Sequence, residues 1–242
     1  MIDTHCHIDL FSDPLGTART LERELSLCVA VTMLPSHFTL AQQHLAPFER
    51  VIASLGLHPL RIREARTEIE LFTRLAKTSR FFGEIGLDGS PEGKATLALQ
   101  KELFTEAICA IPAGAFVTVH SRGAWRETLE LLRTHHIGPV CFHYFTGGME
   151  GAKAVLAEGH FLSINHRMIR SSYRHRSLAE SLPRERVLVE TDGPFLGKQP
   201  LTQLKAVYQF LTETWQTDAV EVVRRNFALC CTTPIPEGFK KI

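Results

Sequence analysis

Eight short runs rich in β-branched and aromatic residues recur along this chain of 242 residues, and stretches with helical spacing separate them. Regular alternation of strand and helix predicts parallel βαβ units. Eight such units that close on themselves form a (β/α)₈ barrel, an α/β fold of about this length. The runs are IDTHCHI from Ile2, CVAVTML from Cys28, RVIASLGL from Arg50, FFGEIGL from Phe81, FVTVHS from Phe116, PVCFHYF from Pro139, HFLSIN from His160 and RVLVETD from Arg186.

The segments between the runs carry apolar residues at spacings of three and four, as in 95–111 and 125–135. No glycine- and serine-rich linker and no block of charge divides the chain, so we expect one barrel domain over residues 1–242. Residues 201–230 are predicted to form helices that close the barrel. Residues 232–242, with two prolines and two lysines, are predicted to form a loose tail.

Composition excludes some classes of protein. Apolar residues make up 44% and charged residues 22%, as in soluble globular proteins. The 27 basic and 26 acidic side chains nearly balance, so any polyanion must be bound by local charge. The first ten residues lack the basic and apolar regions of a signal peptide, and no run of eighteen apolar residues occurs. We therefore expect a cytoplasmic protein without membrane contact.

The six cysteines contain no C-x-x-C motif, which favours reduced core residues. Cys6 stands between two histidines, but neighbours on a strand point to opposite faces. Cys6 is therefore not predicted to bind the same ion as the histidines. The cysteines are Cys6, Cys28, Cys109, Cys141, Cys230 and Cys231.

Histidines and acids occur where most of the predicted strands end. In a (β/α)₈ barrel the catalytic residues come from the C-terminal ends of the strands and the loops that follow, so these side chains should share one rim. Imidazoles and carboxylates together hold borderline or hard divalent ions. The candidates are His5, His7, His58, Glu84, His120, His143 and Asp192.

The H-x-H pair is the sharpest of these signals. A period of two places His5 and His7 on the same face of a strand, where both imidazoles can reach one ion. Alone, the pair is equally compatible with two histidines packed in a polar strand. The acids and histidines at the other strand ends favour the metal site.

His120 and His143 each follow apolar strand residues, so ligation would offset the cost of burying an unpaired imidazole. Core histidines hydrogen-bonded to backbone are the alternative. A carboxylate that faces a barrel interior must be paired, protonated or metal-bound. Metal binding accounts for both Glu84 and Asp192.

Other candidates leave their roles open. His58, in GLHP, is predicted to be a substrate contact, an outer ligand or a turn residue. Glu190 shares a face with Asp192, so it either orients ligands from behind or is a buried charge paired elsewhere. Solvated histidines are predicted at His44, His135, His136 and His160.

Taken together, six motifs resemble the TatD family of metal-dependent deoxyribonucleases, within the wider amidohydrolase-like barrels. They follow one another in the family's order between residue 2 and about residue 196. RRNFALC from Arg224, with Asn226, is similar to the family's closing helix. The motifs are DTHCHID at Asp3, GLHP at Gly56, GEIGLD at Gly83, VHSR at Val119, HYFTG at His143 and ETDGPFL at Glu190.

The resemblance implies that His5 and His7 bind one ion, that His120 and His143 bind a second, and that Glu84 bridges the two. It also implies that Asp192 completes the first site and handles the proton of the attacking water. Two ions about 3.5 to 4 Å apart can share a hydroxide and stabilise both the attacking and the leaving oxygen of a phosphodiester. Such ligands suit Zn²⁺, Mn²⁺, Fe²⁺ or Mg²⁺, so the metal stays open.

The function expected from the resemblance is a nuclease, a 3′-to-5′ exonuclease that prefers single-stranded DNA or RNA ends. Glu84 stands where related barrels carry a modified lysine, which favours this branch over an amidohydrolase acting on a small cyclic amide or lactone. The third hypothesis is a barrel that serves as a partner in a larger assembly, with protein partners from the same operon, such as a defence operon. Gly89 and Ser90 replace the family's aromatic pair, and 197–204 is a shortened loop.

Substrate contacts are predicted at arginines near the rim. Arg122 would hold a phosphate oxygen, or it forms a surface salt bridge. The segment NHRMIRSSYRHR from Asn165 is predicted to follow a phosphate backbone through Arg170 and Arg174, with Tyr173 stacking on a base. The alternative is a solvated helix start whose arginines pair with acids such as Glu180 and Glu185.

Overall fold

The computed structural model describes residues 1–170 and 173–232, without the side chains of residues 173 and 174. The predicted tail lies outside the described residues, apart from Thr232. Eight parallel strands follow one another around a barrel in the order of the sequence. They are β1 (Ile2–Cys6), β2 (Leu27–Val31), β3 (Val51–Leu57), β4 (Phe81–Gly86), β5 (Phe116–His120), β6 (Cys141–Phe142), β7 (Phe161–Ile164) and β8 (Val187–Val189).

Backbone hydrogen bonds just beyond the strands join the last strand to the first. The amide of His7 donates to the carbonyl of Gly193 (2.8 Å), and the amide of Asp192 donates to the carbonyl of His5 (2.9 Å). The Thr4 hydroxyl also donates to the carbonyl of Val189 at 3.0 Å. The predicted (β/α)₈ barrel is confirmed.

Helices follow every strand within the described residues. Asp13 begins the first one, because its side chain accepts the backbone N–H of Gly16 at 2.9 Å and Pro14 suits the first helical turn. The helices are α1 (Pro14–Glu24), α2 (Pro35–Leu45), α3 (Ile62–Ala65), α4 (Ile69–Ala76), α5 (Leu97–Ala110), α6 (Trp125–Thr134), α7 (Gly148–Ala157), α8 (His166–Arg170), α9 (Tyr173–Ser181), α10 (Pro200–Trp215) and α11 (Ala219–Cys230).

The sixth strand is much shorter than its predicted run of seven residues, because β6 contains only residues 141 and 142. Pro139 has no backbone N–H for the ladder. Tyr144 has a φ of 37°, in the left-handed region that an extended strand does not use. His143 therefore lies at a bend, where its side chain turns toward the barrel axis.

The closing helix packs beneath the barrel. The ring of Phe227 on α11 lies 4.9 Å from the ring of Phe116 and 6.4 Å from that of Phe81, at the starts of β5 and β4. The Asn226 amide donates to the carbonyls of Arg184 (2.6 Å) and Val187 (2.8 Å), which ties α11 to the start of β8. This end of the barrel is a structural core, opposite the predicted site.

Gly83 allows β4 to lie close to β5. Its φ is 146°, and a Cβ built at this position would lie 2.2 Å from Cγ2 of Thr118. A larger residue would displace Thr118, whose hydroxyl contacts a histidine of the predicted site. The first residue of GEIGLD is thus required by backbone conformation and by space.

Two predictions about exposure were wrong. Cys109, predicted to be a core residue, is exposed on α5, whereas the other five cysteines are buried; all six are free. His160, predicted to be solvated, is buried, and its Nδ1 accepts the backbone N–H of Val140 at 3.3 Å. His160 lies directly before β7, and its ring contacts the ring of Phe142 in β6 at a centroid distance of 5.7 Å.

In the part of the chain that the structure describes, none of the helices combines the length and the apolar character that a membrane span needs.

Candidate metal centre

Glu84 lies at the centre of a cluster of imidazoles on the C-terminal rim of the barrel. Its side chain projects from β4 and is 2% exposed. One carboxylate oxygen, Oε2, lies 3.1 Å from Nε2 of His7 and 3.5 Å from Nε2 of His5. The other, Oε1, lies 2.5 Å from Nδ1 of His120 and 2.8 Å from Nε2 of His143. Each oxygen therefore faces a different set of imidazoles, and His58 also contacts Oε2.

His5 presents a lone pair to this cluster. Its Nδ1 lies 2.9 Å from the Thr118 hydroxyl, so the tautomer that donates to Thr118 leaves Nε2 free. Burial, followed by the charge of His143, lowers the pKa of His5 to about 3. His5 is thus neutral at neutral pH, as a metal ligand must be. Its Nε2 lies 3.4 Å from Nε2 of His7.

His120 is held between two carboxylates. Its Nε2 lies 2.7 Å from Oδ2 of Asp88, which only accepts, so in a neutral ring that donates to Asp88 the lone pair is on Nδ1. That lone pair faces Oε1 of Glu84 at 2.5 Å, an arrangement that repels unless a proton or a cation lies between. Burial acts to lower the pKa of His120, but Glu84 and Asp88 outweigh burial and raise it. The two carboxylates, Glu84 and Asp88, therefore favour a positive charge at His120.

Glu190 lies behind His143. Nδ1 of His143 is 3.8 Å from Oε1 of Glu190, and its Nε2 faces Glu84. Burial acts to lower the pKa of His143, but these two carboxylates raise it well above its ordinary value. The Glu190 carboxylate is fixed by three donors: the backbone N–H of Tyr144 at 2.9 Å, the Ser163 hydroxyl at 2.5 Å and the Asn165 amide at 3.0 Å.

His58 differs from the other four imidazoles because its tautomer is set by the chain. Its Nδ1 accepts the backbone N–H of Leu60 at 3.1 Å, so neutral His58 carries its hydrogen on Nε2. That Nε2 lies 3.2 Å from Oε2 of Glu84. His58 is therefore placed to donate a hydrogen bond to Glu84, with no lone pair left for an ion.

Asp192 lies just past β8 in a left-handed conformation, with a φ of 49°. Its Oδ1 is 3.9 Å from Nε2 of His7. Burial raises the pKa of Asp192 to about 7, with the charges of Glu190 and Glu84 adding to the effect and His143 opposing it. A carboxyl group with this pKa can accept a proton and release it again near neutral pH.

Asp3 joins the two motifs that carry His5 and Asp192. Its Oδ2 accepts the Thr191 hydroxyl at 2.6 Å, and its Oδ1 accepts the Thr191 backbone N–H at 3.0 Å and the His5 backbone N–H at 3.2 Å. Burial raises the pKa of Asp3 to about 7 against these hydrogen bonds. Asp3 is a positioning residue beneath the cluster.

The donor set fits divalent ions. His5, His7 and Glu84 offer ligand atoms within 4.8 Å of one another, and so do His5, His143 and Asp192. Buried Nδ1 atoms of His7 and His143 have no hydrogen-bond partner among the described residues. Burial acts to raise the pKa of Glu84, but the neighbouring imidazoles hold it well below its ordinary value, so the carboxylate is ionised. Imidazoles around an ionised carboxylate are a typical environment for Zn²⁺, Mn²⁺ or Fe²⁺.

A cavity of about 550 Å³ opens above the cluster. Arg122 lines it and also lies 3.5 Å from Glu92, so both predicted roles are compatible with its position. The residues around the cavity are Met33, His58, Leu60, Glu84, Asp88, His120, Ser121, Arg122, His143, Tyr144, Thr146, Arg167, Asp192, Phe195 and Leu196.

The arginine-rich segment after β7 contributes differently from its prediction. Arg167 lines the cavity, whereas Arg170 is exposed on α8 and does not line it. Arg176 pairs with Glu180 at 2.9 Å, as the solvated alternative predicts. The predicted contacts of Tyr173 and Arg174 lie outside the described residues, because only the backbone of these two residues is described.

Four residues of the site were missed as site residues in the sequence. Asp88 follows a buried strand in the motif GEIGLD, and Asp3 lies within a buried strand in DTHCHID. An acid at such a position could have indicated both residues. Thr118 precedes His120 by two residues, so it shares that residue's face. Phe195 stands in ETDGPFL and is 58% exposed at the mouth of the cavity, which no sequence pattern indicates.

Comparisons with known proteins agree with this geometry. A family model described as TatD related DNase matches residues 2–231. The chain is 32% identical over 217 residues to the uncharacterized metal-dependent hydrolase YcfH of Escherichia coli strain K12, covering 83% of this chain and 80% of the relative. It is 27% identical over 223 residues to the deoxyribonuclease TATDN3 of Homo sapiens, covering 82% and 80%. The solved structure of the Escherichia coli TatD homologue YJJV has a TM-score of 0.77 at 21% identity, covering 97% of this chain and 98% of the other.

Proposed function

The chain belongs to the TatD-related DNase family of metal-dependent hydrolases, and from this premise we propose that it hydrolyses phosphodiester bonds at the 3′ ends of single-stranded DNA or RNA. Relatives named as deoxyribonucleases support the substrate class. The single observation that carries the proposal is the position of Glu84, whose two oxygens face separate sets of imidazoles.

We assign His5, His7 and Asp192 to one ion, His120 and His143 to a second, and Glu84 to both. Two divalent ions at these positions would lower the pKa of water and offset charge on the attacking and leaving oxygens of a phosphodiester. The His143 ring also stacks on the His5 ring, at a centroid distance of 4.0 Å. His143 therefore lies close to the ligands assigned to the first ion as well. His120 would therefore be the ligand that belongs most clearly to a second ion.

The protein's own groups would manage the proton and the ligand geometry. Asp192, with its raised pKa, takes the proton of the attacking water as a general base. Asp88 holds the His120 ring through Nε2, and His58 donates to Oε2 of Glu84. Glu190 stands behind His143. These contacts keep the ligands oriented before substrate arrives.

Support for a strand end as substrate comes from the size of the cavity. A volume of about 550 Å³ suits a ligand of small-molecule size. One or two unpaired nucleotides can enter such a space, whereas a continuous duplex cannot. The 3′-to-5′ polarity rests on the family resemblance.

The test uses untagged protein, analysed for metal and incubated with single-stranded oligonucleotides labelled at the 5′ end. Hydrolysis from the 3′ end should produce a ladder of shortened 5′-labelled products, and a 3′-phosphate or a blunt duplex should slow it. Chelation should stop the reaction and added Mn²⁺ or Zn²⁺ should restore it. Glu84→Gln protein purified in parallel controls for a contaminating nuclease. Turnover of a cyclic amide or lactone without cleavage of any oligonucleotide would refute the proposal.

A further inference from the structure

The walls of the metal cavity differ in chemistry according to the strands that carry them. Loops after β8, β2 and β3 contribute an apolar wall: Phe195, Leu196, Met33 and Leu60. Loops after β5, β6 and β7 contribute a cationic and hydroxyl-bearing wall: Arg122, Tyr144, Thr146 and Arg167. Because the strands follow sequence order and β7 pairs with β8, Arg167 and Phe195 come from neighbouring loops, and the two walls adjoin on the rim around Glu84 and its imidazoles.

The apolar wall exposes two large side chains in an otherwise polar site. Phe195 is 58% exposed and Leu60 is 43% exposed. The Phe195 ring forms a T-shaped contact with the His7 ring at a centroid distance of 5.0 Å, and more than half of the Phe195 side chain remains exposed. An exposed aromatic face beside the reacting centre is suited to the flat face of a ligand ring.

The cationic wall carries a guanidinium that is free to bind an anion. Arg167 is exposed at the start of α8, and among the described residues no carboxylate forms an ion pair with it. Arg122 shares its charge with the exposed Glu92, 3.5 Å away. Arg167 is therefore the stronger candidate for a phosphate contact.

We propose that the site accepts a nucleotide unit in one orientation, with its base against Phe195 and Leu60 and its flanking phosphate against Arg167. The inference rests on the proposed function, because it places the scissile phosphodiester over Glu84. The reverse orientation would put a phosphate against an apolar wall without a counter-charge, which is costly. It would also leave Phe195 exposed in the complex.

The experiment pairs substrate changes with protein changes. A fluorescent trinucleotide is compared with a copy that lacks one base and with a copy in which the flanking phosphate is a neutral methylphosphonate. Binding and KM are measured for wild type, Phe195→Ala and Arg167→Ala. Leu229→Ala and Arg225→Ala serve as controls, since both residues are exposed on α11, away from the cavity.

Removing the base should weaken binding to wild type about 10-fold and have little effect on Phe195→Ala, because the stacking partner is already absent. Neutralising the phosphate should weaken binding to wild type by a similar factor and have little effect on Arg167→Ala. Phe195→Trp should restore the response to the base. The α11 variants should behave as wild type.

Equal losses in wild type and Phe195→Ala on removal of the base would overturn the orientation, and so would a base effect that depends on Arg167. Failure of the proposed function gives a different result, in which wild type cleaves neither the trinucleotide nor a small chromogenic phosphodiester. Binding to the uncleaved series still tests the orientation in that case.

Discussion

Oδ2 of Asp88 lies 2.7 Å from Nε2 of His120, on the side of the imidazole that faces away from Glu84. The contact decides which nitrogen of His120 carries the lone pair. Asp88 is itself held, because its Oδ1 accepts the Ser90 backbone N–H at 2.8 Å. One carboxylate outside the proposed ligand set therefore orients His120, which we propose as a ligand of a second ion.

Asp88→Ala should lower the affinity for the second ion about 10- to 100-fold, because the His120 ring loses the acceptor that fixes its tautomer. Asp88→Asn should lose less, since its amide oxygen still accepts from Nε2. Metal titration followed by calorimetry measures the effect. Glu92→Ala, an exposed carboxylate in the same loop, is the matched control. Equal affinity in Asp88→Ala and wild type would remove Asp88 from the site.

Glu84→Gln and Asp192→Asn should each abolish hydrolysis while the barrel stays folded. An amide keeps the shape of either side chain but loses the charge between the imidazole pairs at Glu84, or the proton acceptor at Asp192. Steady-state kinetics and circular dichroism check both statements. Retention of more than about a tenth of kcat, a barrier change below about 1.4 kcal/mol, would contradict the assigned role.

His58 and His143 should differ in metal content when each is replaced by alanine. His143→Ala removes an imidazole that we assign to an ion, so bound metal should fall. His58→Ala removes only a hydrogen-bond donor to Glu84, so metal should remain while kcat decreases. Metal analysis after gel filtration distinguishes the two. Equal metal loss in both variants would show that His58 is a ligand.

Arg167→Ala should reduce the slope of log K against log[salt] for single-strand binding by about 0.7, the value for one lost phosphate contact. Arg170→Ala, on the same helix but outside the cavity, should change the slope less. The measurement is fluorescence anisotropy over a salt series. A larger change in slope for Arg170→Ala than for Arg167→Ala would support the phosphate contact of Arg170 that was predicted from the sequence.

Stability should depend on pH through His160, which lies at the start of β7, whereas the proposed metal ligands lie at the ends of the strands. Burial, followed by the charge of Arg186, lowers its pKa to about 4. Between about pH 6.5, the pKa of His160 in the unfolded chain, and about pH 4, the unfolded chain binds a proton at His160 and the folded chain does not. The free energy of unfolding therefore decreases over this range as the pH falls, by about 3 kcal/mol at most. His160→Asn keeps an acceptor for Val140 but does not titrate.

Urea denaturation of wild type and His160→Asn across this range isolates the effect from that of other groups. The free-energy difference between the two proteins should be constant above pH 7 and shift in favour of the variant as the pH falls. A difference that stays constant down to pH 4 would mean that His160 is accessible to protons in the folded state.

The sequence by itself determined the barrel and the set of polar side chains on its rim. Strand and helix alternate at a spacing that only parallel βαβ units satisfy, and a period of two puts His5 and His7 on one face. Once eight strands are parallel, Glu84, His120 and Asp192 must meet at one end, because every strand points the same way. These inferences need only local pattern and chain direction.

Tertiary structure alone decided how those side chains are used. The tautomer of His58 depends on the backbone N–H of Leu60, and that of His120 depends on Asp88, which follows the neighbouring strand β4. Arg167 rather than Arg170 reaches the cavity because of the direction in which α8 leaves β7. The direction of a side chain that follows a strand is set by packing against neighbouring loops. Such contacts join residues distant in the sequence, so they leave no periodic pattern that could predict this direction.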